Sequence, residues 1–156
     1  MRRTDREVTD RSEILDIMHR CDVCRIALNN GDYPYILPLN FGMEVSGDSV
    51  ILYFHGAVQG RKYGIIARDN RASFEMDCSH RIVTRPERKS CTMEYESVIG
   101  RGRIEMVEGE KKLAALKLLN AHYGAQAIEI DEAVAQRTTV MRLVVEDMTA
   151  KRRMVK

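Results

Sequence analysis

Leu52-Tyr53-Phe54-His55-Gly56-Ala57-Val58-Gln59-Gly60-Arg61-Lys62 reads as a hydrophobic strand running into a loop bounded by two glycines. The loop delivers an adjacent Arg–Lys pair to the start of a short amphipathic segment, Tyr63 to Arg68. Glycine lets a backbone approach a ligand closely, and a helix N-terminus offers unpaired N–H groups to an anion. Arginine adds a planar fork and lysine a mobile point charge, a combination that suits a phosphate. The segment is therefore a candidate phosphate grip for a nucleotide-like cofactor. The competing reading is a solvated basic pair after a surface turn.

Working outward, the flanking segments predict mostly strands. Upstream, Asp10 with Glu13 has the spacing of a helix cap, and Ile14, Ile17, Met18 and Cys21 follow at helical intervals, predicting a helix over 10–20. Cys24, Ile26 and Leu28 alternate with Arg25 and Ala27, as in a half-buried strand. Asn29-Asn30-Gly31-Asp32 then forms a hairpin turn. The return strand, Tyr35 to Met43, carries Pro38 just after Pro34, which predicts an edge strand or an irregular one. Ser46-Gly47-Asp48 turns the chain into Val50–Phe54.

Downstream, Asn70 ends the amphipathic segment and Ala72–Cys78 predicts another strand. Residues 79–90 read as a polar loop. A long strand follows from Cys91 to Val107, in which Gly100 and Gly102 suggest a bulge or barrel corner. Residues 109–123 predict a helix stopped by Gly124, residues 131–136 a short helix, and Thr138–Glu146 a last strand. Six hairpin-connected strands and few helices describe a mainly β protein, a small antiparallel barrel with helical additions. Repeated strand–helix units are absent, which excludes a parallel nucleotide-binding sheet.

The chain has 156 residues, enough for one domain with a proper core. Its 25 basic and 23 acidic side chains nearly cancel, so charge gives no case for nucleic acid or an acidic membrane surface. Basic residues gather near both ends (Arg2, Arg3, Arg6; Lys151, Arg152, Arg153, Lys156) and read as solvated tails. No apolar run approaches membrane-spanning length and no signal-type stretch is present, so a cytoplasmic protein is expected.

Several segments, in order, resemble one family. They are Tyr33-Pro34-Tyr35-Ile36-Leu37-Pro38-Leu39-Asn40-Phe41, Leu52 to Ala57, Gly60-Arg61-Lys62, Ala72-Ser73-Phe74-Glu75 and Tyr95-Glu96-Ser97-Val98-Ile99-Gly100-Arg101-Gly102. Together they resemble the flavin-binding split-barrel group related to pyridoxamine 5'-phosphate oxidase, and within it the nitroimidazole-resistance-type flavoproteins. The resemblance implies a six-stranded antiparallel split barrel and a homodimer with flavin mononucleotide (FMN) where the subunits meet. It gives Arg61 and Lys62 the phosphate. His55, Gly56 and Ala57 would line the phosphate and ribityl chain, and Pro38, Leu39 and Asn40 would run along the isoalloxazine ring. Tyr95 and Ser97 would contact the ring or ribityl chain. FAD is the alternative flavin, and haem occurs in some branches of the group, which would make His55 a candidate iron ligand.

The resemblance further implies an oxidoreductase acting on a small nitro- or quinone-type molecule, with NADH or NADPH as a candidate donor. A non-catalytic flavin- or haem-binding module of the same barrel is the other reading. Some nitroimidazole-type relatives carry His at the position of Arg61, so that substrate class does not transfer. The Arg- and His-rich C-terminal segment of true pyridoxamine phosphate oxidases has no counterpart in Met148 to Arg153, so vitamin B6 oxidation is not expected.

Cys21-x-x-Cys24, with Cys78-x-His80 and Cys91, raises zinc or redox chemistry. The second pair lacks knuckle spacing, and Cys24 shares a strand face with Ile26 and Leu28, so buried inert thiols are expected. His19 and His122 fall on helices as solvent-facing or interface residues, and His80 lies beside a polar loop. No hydrolytic triad or carboxylate pair stands out, so no residue is assigned as catalytic.

Overall fold

The computed structural model describes residues 3–155. Eight strands are present: β1 (Glu7–Val8), β2 (Cys24–Leu28), β3 (Tyr35–Leu39), β4 (Gly42–Ser46), β5 (Ser49–Gly56), β6 (Arg71–Arg85), β7 (Ser90–Val107) and β8 (Thr139–Arg153). The helices are α1 (Arg11–Arg20), α2 (Arg61–Arg68), α3 (Glu110–His122) and α4 (Glu132–Gln136). All pairings are antiparallel, in the order β3-β2-β6-β7-β8-β5-β4, with β1 added against β8. The result is a mainly β, split-barrel architecture, open between β3 and β4.

Those two edges are consecutive in the chain. The expected single strand from Tyr35 to Met43 is in fact two strands at opposite ends of the sheet, separated by Asn40 and Phe41. The cause is a clamp from α3. Phe41 is fully buried, its N–H donates to the Tyr123 hydroxyl (3.1 Å), and that hydroxyl donates to the Asp22 carbonyl (2.7 Å). At Gly42 a Cβ would stand 2.6 Å from the Leu119 amide nitrogen, so only glycine lets β4 lie against this helix. Gly42→Ala is expected to cost about 1–3 kcal/mol as an overpacked contact, measured by urea denaturation.

β5 explains its own unbroken hydrophobicity. Leu52 and Phe54 face the barrel core with Phe41, Phe74, Met76 and Ile104. Tyr53 on the opposite face joins Val107, Leu116, Leu119 and Val140 beneath α3. A strand packed on both faces loses the alternation that would otherwise mark it.

Two long strands differ from expectation. Residues 79–85 are β6 and not loop; they pair with the start of β7 through Arg81↔Glu94 to Arg85↔Ser90, past a bulge between Cys78 and Arg81 where Ser79 takes φ +59°. One face of this arm is exposed and the other is covered only in part, around Val83, Thr92 and the buried Glu94, so it carries no run of buried apolar residues to read. β8 runs on to Arg153, seven residues beyond Glu146, turning Met148 and Ala150 inward. The basic C-terminal residues 151–153 are therefore strand, and Arg152 is ion-paired; Arg2 and Lys156 lie outside the described residues. The expected bulge at Gly102 is present: the β7–β8 register shifts between Arg101 and Gly102, and a Cβ there would collide with the Val144 carbonyl.

Helix α1 begins where the sequence places it, with the Asp10 carboxylate accepting from the Ser12 and Glu13 amides. Glu13 does not close a capping box in the usual way; its carboxylate pairs with Arg152 (2.7 Å). Among the described residues no helix is long and apolar enough to cross a membrane.

Candidate functional site

The Gly56–Lys62 segment joins the end of β5 to α2. Gly60 is the N-cap and contributes no side-chain cap, and no acidic side chain occupies the first turn. The start of this helix therefore presents its positive dipole end to whatever lies in the loop. Tyr63 folds the loop back, its hydroxyl donating to the Ala57 carbonyl (2.6 Å). The Lys62 ammonium sits 4.4 Å from the centre of the Tyr63 ring and lies over Gly56, where a Cβ would come within 3.0 Å of Lys62 Nζ.

Arg61 stacks over Tyr35, with 5.3 Å from its Cζ to the ring centre. That contact sets the start of α2 beside the β3 edge. Aromatic faces hold both cations without neutralising them. Among the described residues neither Arg61 nor Lys62 pairs with a carboxylate, whereas Arg20, Arg25, Arg71, Arg81, Arg101, Arg103, Arg142 and Arg152 all do. Two uncompensated cations at an uncapped helix start fit a phosphate dianion.

The remaining sequence-derived residues fall into two groups. His55 and Gly56 pair with Val140 and Thr139 on β8, and His55 is exposed. Pro38 and Leu39 lie on β3, opposite Arg25 and Cys24, and exposed Asn40 follows; with Arg61 on Tyr35, this strand and the basic loop share one side of the subunit. Tyr95 and Ser97 are elsewhere. They pair with Arg153 and Lys151 on β8, so Ser97 and His55 are 11 positions apart along that strand (Lys151 against Val140). At about 3.3 Å per residue that is up to roughly 35 Å of strand. Ser97 is thus set apart from His55 along β8, whereas across the sheet Pro38 is in register with Arg25, Glu75 and Ile99, two positions from Ser97. Tyr95 accepts from Arg6 (3.4 Å), and Ser97 stands opposite Asp77 on β6.

Sequence reasoning missed Tyr35 as the ring beneath Arg61, a contact across two elements that leaves no local signal. Tyr63 was legible only as a neighbour of the basic pair.

His80 and His122 are occupied. His80 pairs with Asp77 (2.9 Å), and His122 does not face solvent alone: its Nε2 bonds the Cys21 carbonyl (2.7 Å) and its ring packs on Phe41. Cys21 and Cys24 are buried, Cys78 is half-buried and Cys91 exposed. Among the described residues no group of three or more Cys, His, Asp or Glu side chains is placed to hold a metal. An open cavity of about 520 Å³ is lined by Ala27, Asn29, Pro34, Arg71 and Arg101. Its two arginines are already paired with Asp69 and Asp147.

A second charged cluster lies where α1 meets the sheet. Glu96 is 2% exposed, and its carboxylate accepts from Arg20 (2.5 Å), Arg152 (2.6 Å) and Ser79 (2.7 Å). The Arg20 hydrogen bond, with those of Arg152 and Ser79, outweighs burial and pulls its carboxyl from 4.5 down to about 2.

The split barrel and the basic helix start define a class of barrel proteins with a cationic loop at the end of the strand next to one sheet edge. A model of the pyridoxamine 5'-phosphate oxidase family matches residues 10–152, and the chain belongs to that family. Among solved structures it is similar to a candidate 5-nitroimidazole antibiotic resistance protein from Bacteroides thetaiotaomicron, at 27% identity and a TM-score of 0.81, covering 93% of this chain and 85% of that one. It also shares its fold with an FAD- and haem-binding protein from Mycobacterium smegmatis (17% identity, TM-score 0.78, covering 96% and 74%). A flavocytochrome from Azotobacter vinelandii has the same fold (19% identity, TM-score 0.76, covering 99% and 72%). No curated protein matches the chain.

Proposed function

We propose that this chain is a flavoprotein that holds FMN by its phosphate at the start of α2 and works as a homodimer. The observation that carries the reading is the Arg61–Lys62 pair, held on tyrosine faces with no carboxylate partner at an uncapped helix start. Arg61 would present its fork to two phosphate oxygens, and Lys62, over the bare Gly56, would supply the second charge. His55, Gly56 and Ala57 would flank the phosphate and ribityl chain. Pro38, Leu39 and Asn40, on the open edge of the sheet, would offer an apolar wall and backbone groups to the ring.

The separation of Tyr95 and Ser97 from this loop supports completion of the site by a second copy, each subunit lending those residues to its partner's cofactor. Ile36 (63% exposed) and Ile99 (54% exposed) are apolar residues on the outer face that such a pairing would cover. Bound flavin would supply the electron transfer, with a small nitro- or quinone-type molecule as acceptor and NADH or NADPH as donor. The chain would contribute binding, orientation and local charge, with no side chain assigned as a proton donor.

The visible spectrum of purified protein tests the reading. Paired flavin bands that bleach anaerobically with NADH or NADPH are expected, together with a dimer mass by light scattering. Flavin bands that resist reduction would leave a binding module. An intense Soret band in their place would move the assignment to haem and to His55, and a colourless protein that takes up no added FMN would remove it.

A further inference from the structure

Cys78 and Cys21 meet at the junction of α1 and β6, beside the Glu96 cluster. Both thiols are directed at one acceptor, the Ile17 carbonyl, with Cys21 Sγ at 3.2 Å and Cys78 Sγ at 3.9 Å. The sulfurs are thus neighbours across a single oxygen, although 57 positions separate them in sequence. Their surroundings differ. Cys21 is 1% exposed and packed in the core, whereas Cys78 is half-buried at the edge of the β6 bulge. The Arg20 guanidinium and the Ser79 hydroxyl each stand 3.6 Å from Cys78 Sγ.

We propose that Cys78 is a peroxide-reactive thiol and that Cys21 resolves it to an intramolecular disulfide. The half-exposed Cys78 sulfur is the one that an oxidant from solvent can reach, with the Arg20 guanidinium and the Ser79 hydroxyl beside it. In the first step Cys78 sulfur attacks a hydroperoxide, the O–O bond breaks, and Cys78 sulfenic acid and an alcohol (water, from hydrogen peroxide) result. In the second, Cys21 sulfur attacks the sulfenic sulfur, an S–S bond forms, the S–O bond breaks, and the Cys21 proton leaves with the hydroxyl as water. The two thiols give up two electrons and the peroxide gains them.

Burial, and then the neighbouring Cys78, raise the Cys21 thiol well above its ordinary range. The division of labour follows: the half-exposed sulfur meets the oxidant, and the buried one, inert towards solvent, is reached only by its neighbour. Closing the bond requires both side chains to turn off the Ile17 carbonyl towards each other, tying the last turn of α1 to β6. Cys24 and Cys91 take no part, since the first is enclosed in the barrel core and the second lies at the start of β7 on the solvated arm.

The experiment treats the full-length protein with hydrogen peroxide at a few equivalents. Free thiols should fall from four to two, with a mass loss of about 2 Da and a non-reduced peptide map joining Cys21 to Cys78. The Cys24→Ser/Cys91→Ser double variant should behave the same way. Cys21→Ala should accumulate a dimedone-reactive sulfenic acid at Cys78, and Cys78→Ser should lose both the disulfide and that adduct. The map on the unaltered protein stands whether or not the Cys21 variant folds. Unchanged thiol counts, a disulfide involving Cys24, or crosslinking between chains through Cys91 alone would overturn the assignment.

Discussion

If FMN binds as proposed, replacing Arg61 and Lys62 together with alanine should lower its affinity by about 3–5 kcal/mol, roughly two-hundred- to five-thousand-fold, because two charge-assisted contacts to one phosphate would vanish. Fold stability should move much less. Neither cation is paired with a carboxylate, so deleting them strands no buried partner and costs only the contacts with Tyr35 and Tyr63. The measurement is a fluorescence titration of apoprotein with FMN, alongside a thermal melt. Riboflavin, which lacks the phosphate, should bind the parent and the double variant alike. Parent-like FMN retention in the variant would mean that the phosphate sits somewhere else.

The second large effect concerns the Glu96 cluster. Arg20→Ala with Arg152→Ala leaves a carboxylate that is 2% exposed with only Ser79 as a hydrogen-bond donor. Stranding a buried charge in this way is expected to cost about 3–5 kcal/mol at pH 7. The dependence on pH has a definite sign. The folded carboxyl titrates at about 2, below its ordinary 4.5, so its contribution is complete above the ordinary value and is lost as pH falls through the folded one. A shift of that size corresponds to roughly 2–3 kcal/mol between pH 5 and pH 2. The double variant should lack that acid-sensitive component, and its deficit against the parent should shrink as pH falls. Urea midpoints at pH 7, 5 and 3 measure both; a deficit that stays constant over that range would refute the account.

Local patterns carried most of the architecture. Asp10 announces α1, the alternation around Ile26 marks β2, and Gly102 falls on an actual bulge. These features are decided by residues within a turn or two of each other. What the sequence hid is decided at long range. Nothing near Phe41 shows that Tyr123 and the backbone of α3 will cut one strand into two. The β6–β7 arm buries a carboxylate, Glu94, and few apolar side chains, so its polar residues look like a loop. The end of β8 looks like a tail because Arg152 is read without Glu13 and Glu96, which lie far away in the chain. At the candidate site the basic pair and its glycines were visible, while the tyrosine rings that hold the cations apart from carboxylates became visible only once β3 and α2 met.

The two-residue link through Asn40 and Phe41 also constrains the order of assembly. Because β3 and β4 end the strand path from opposite sides, the β2–β3 and β4–β5 hairpins are hydrogen-bonded into one sheet only through β6, β7 and β8. During synthesis the first half of the chain therefore emerges as two hairpins with uncovered apolar faces, waiting on β8 to dock beside β5. So high a share of distant pairings predicts folding on the millisecond-to-second scale. Until β8 docks, the apolar faces of β5 and β7 stand uncovered, the condition that favours aggregation.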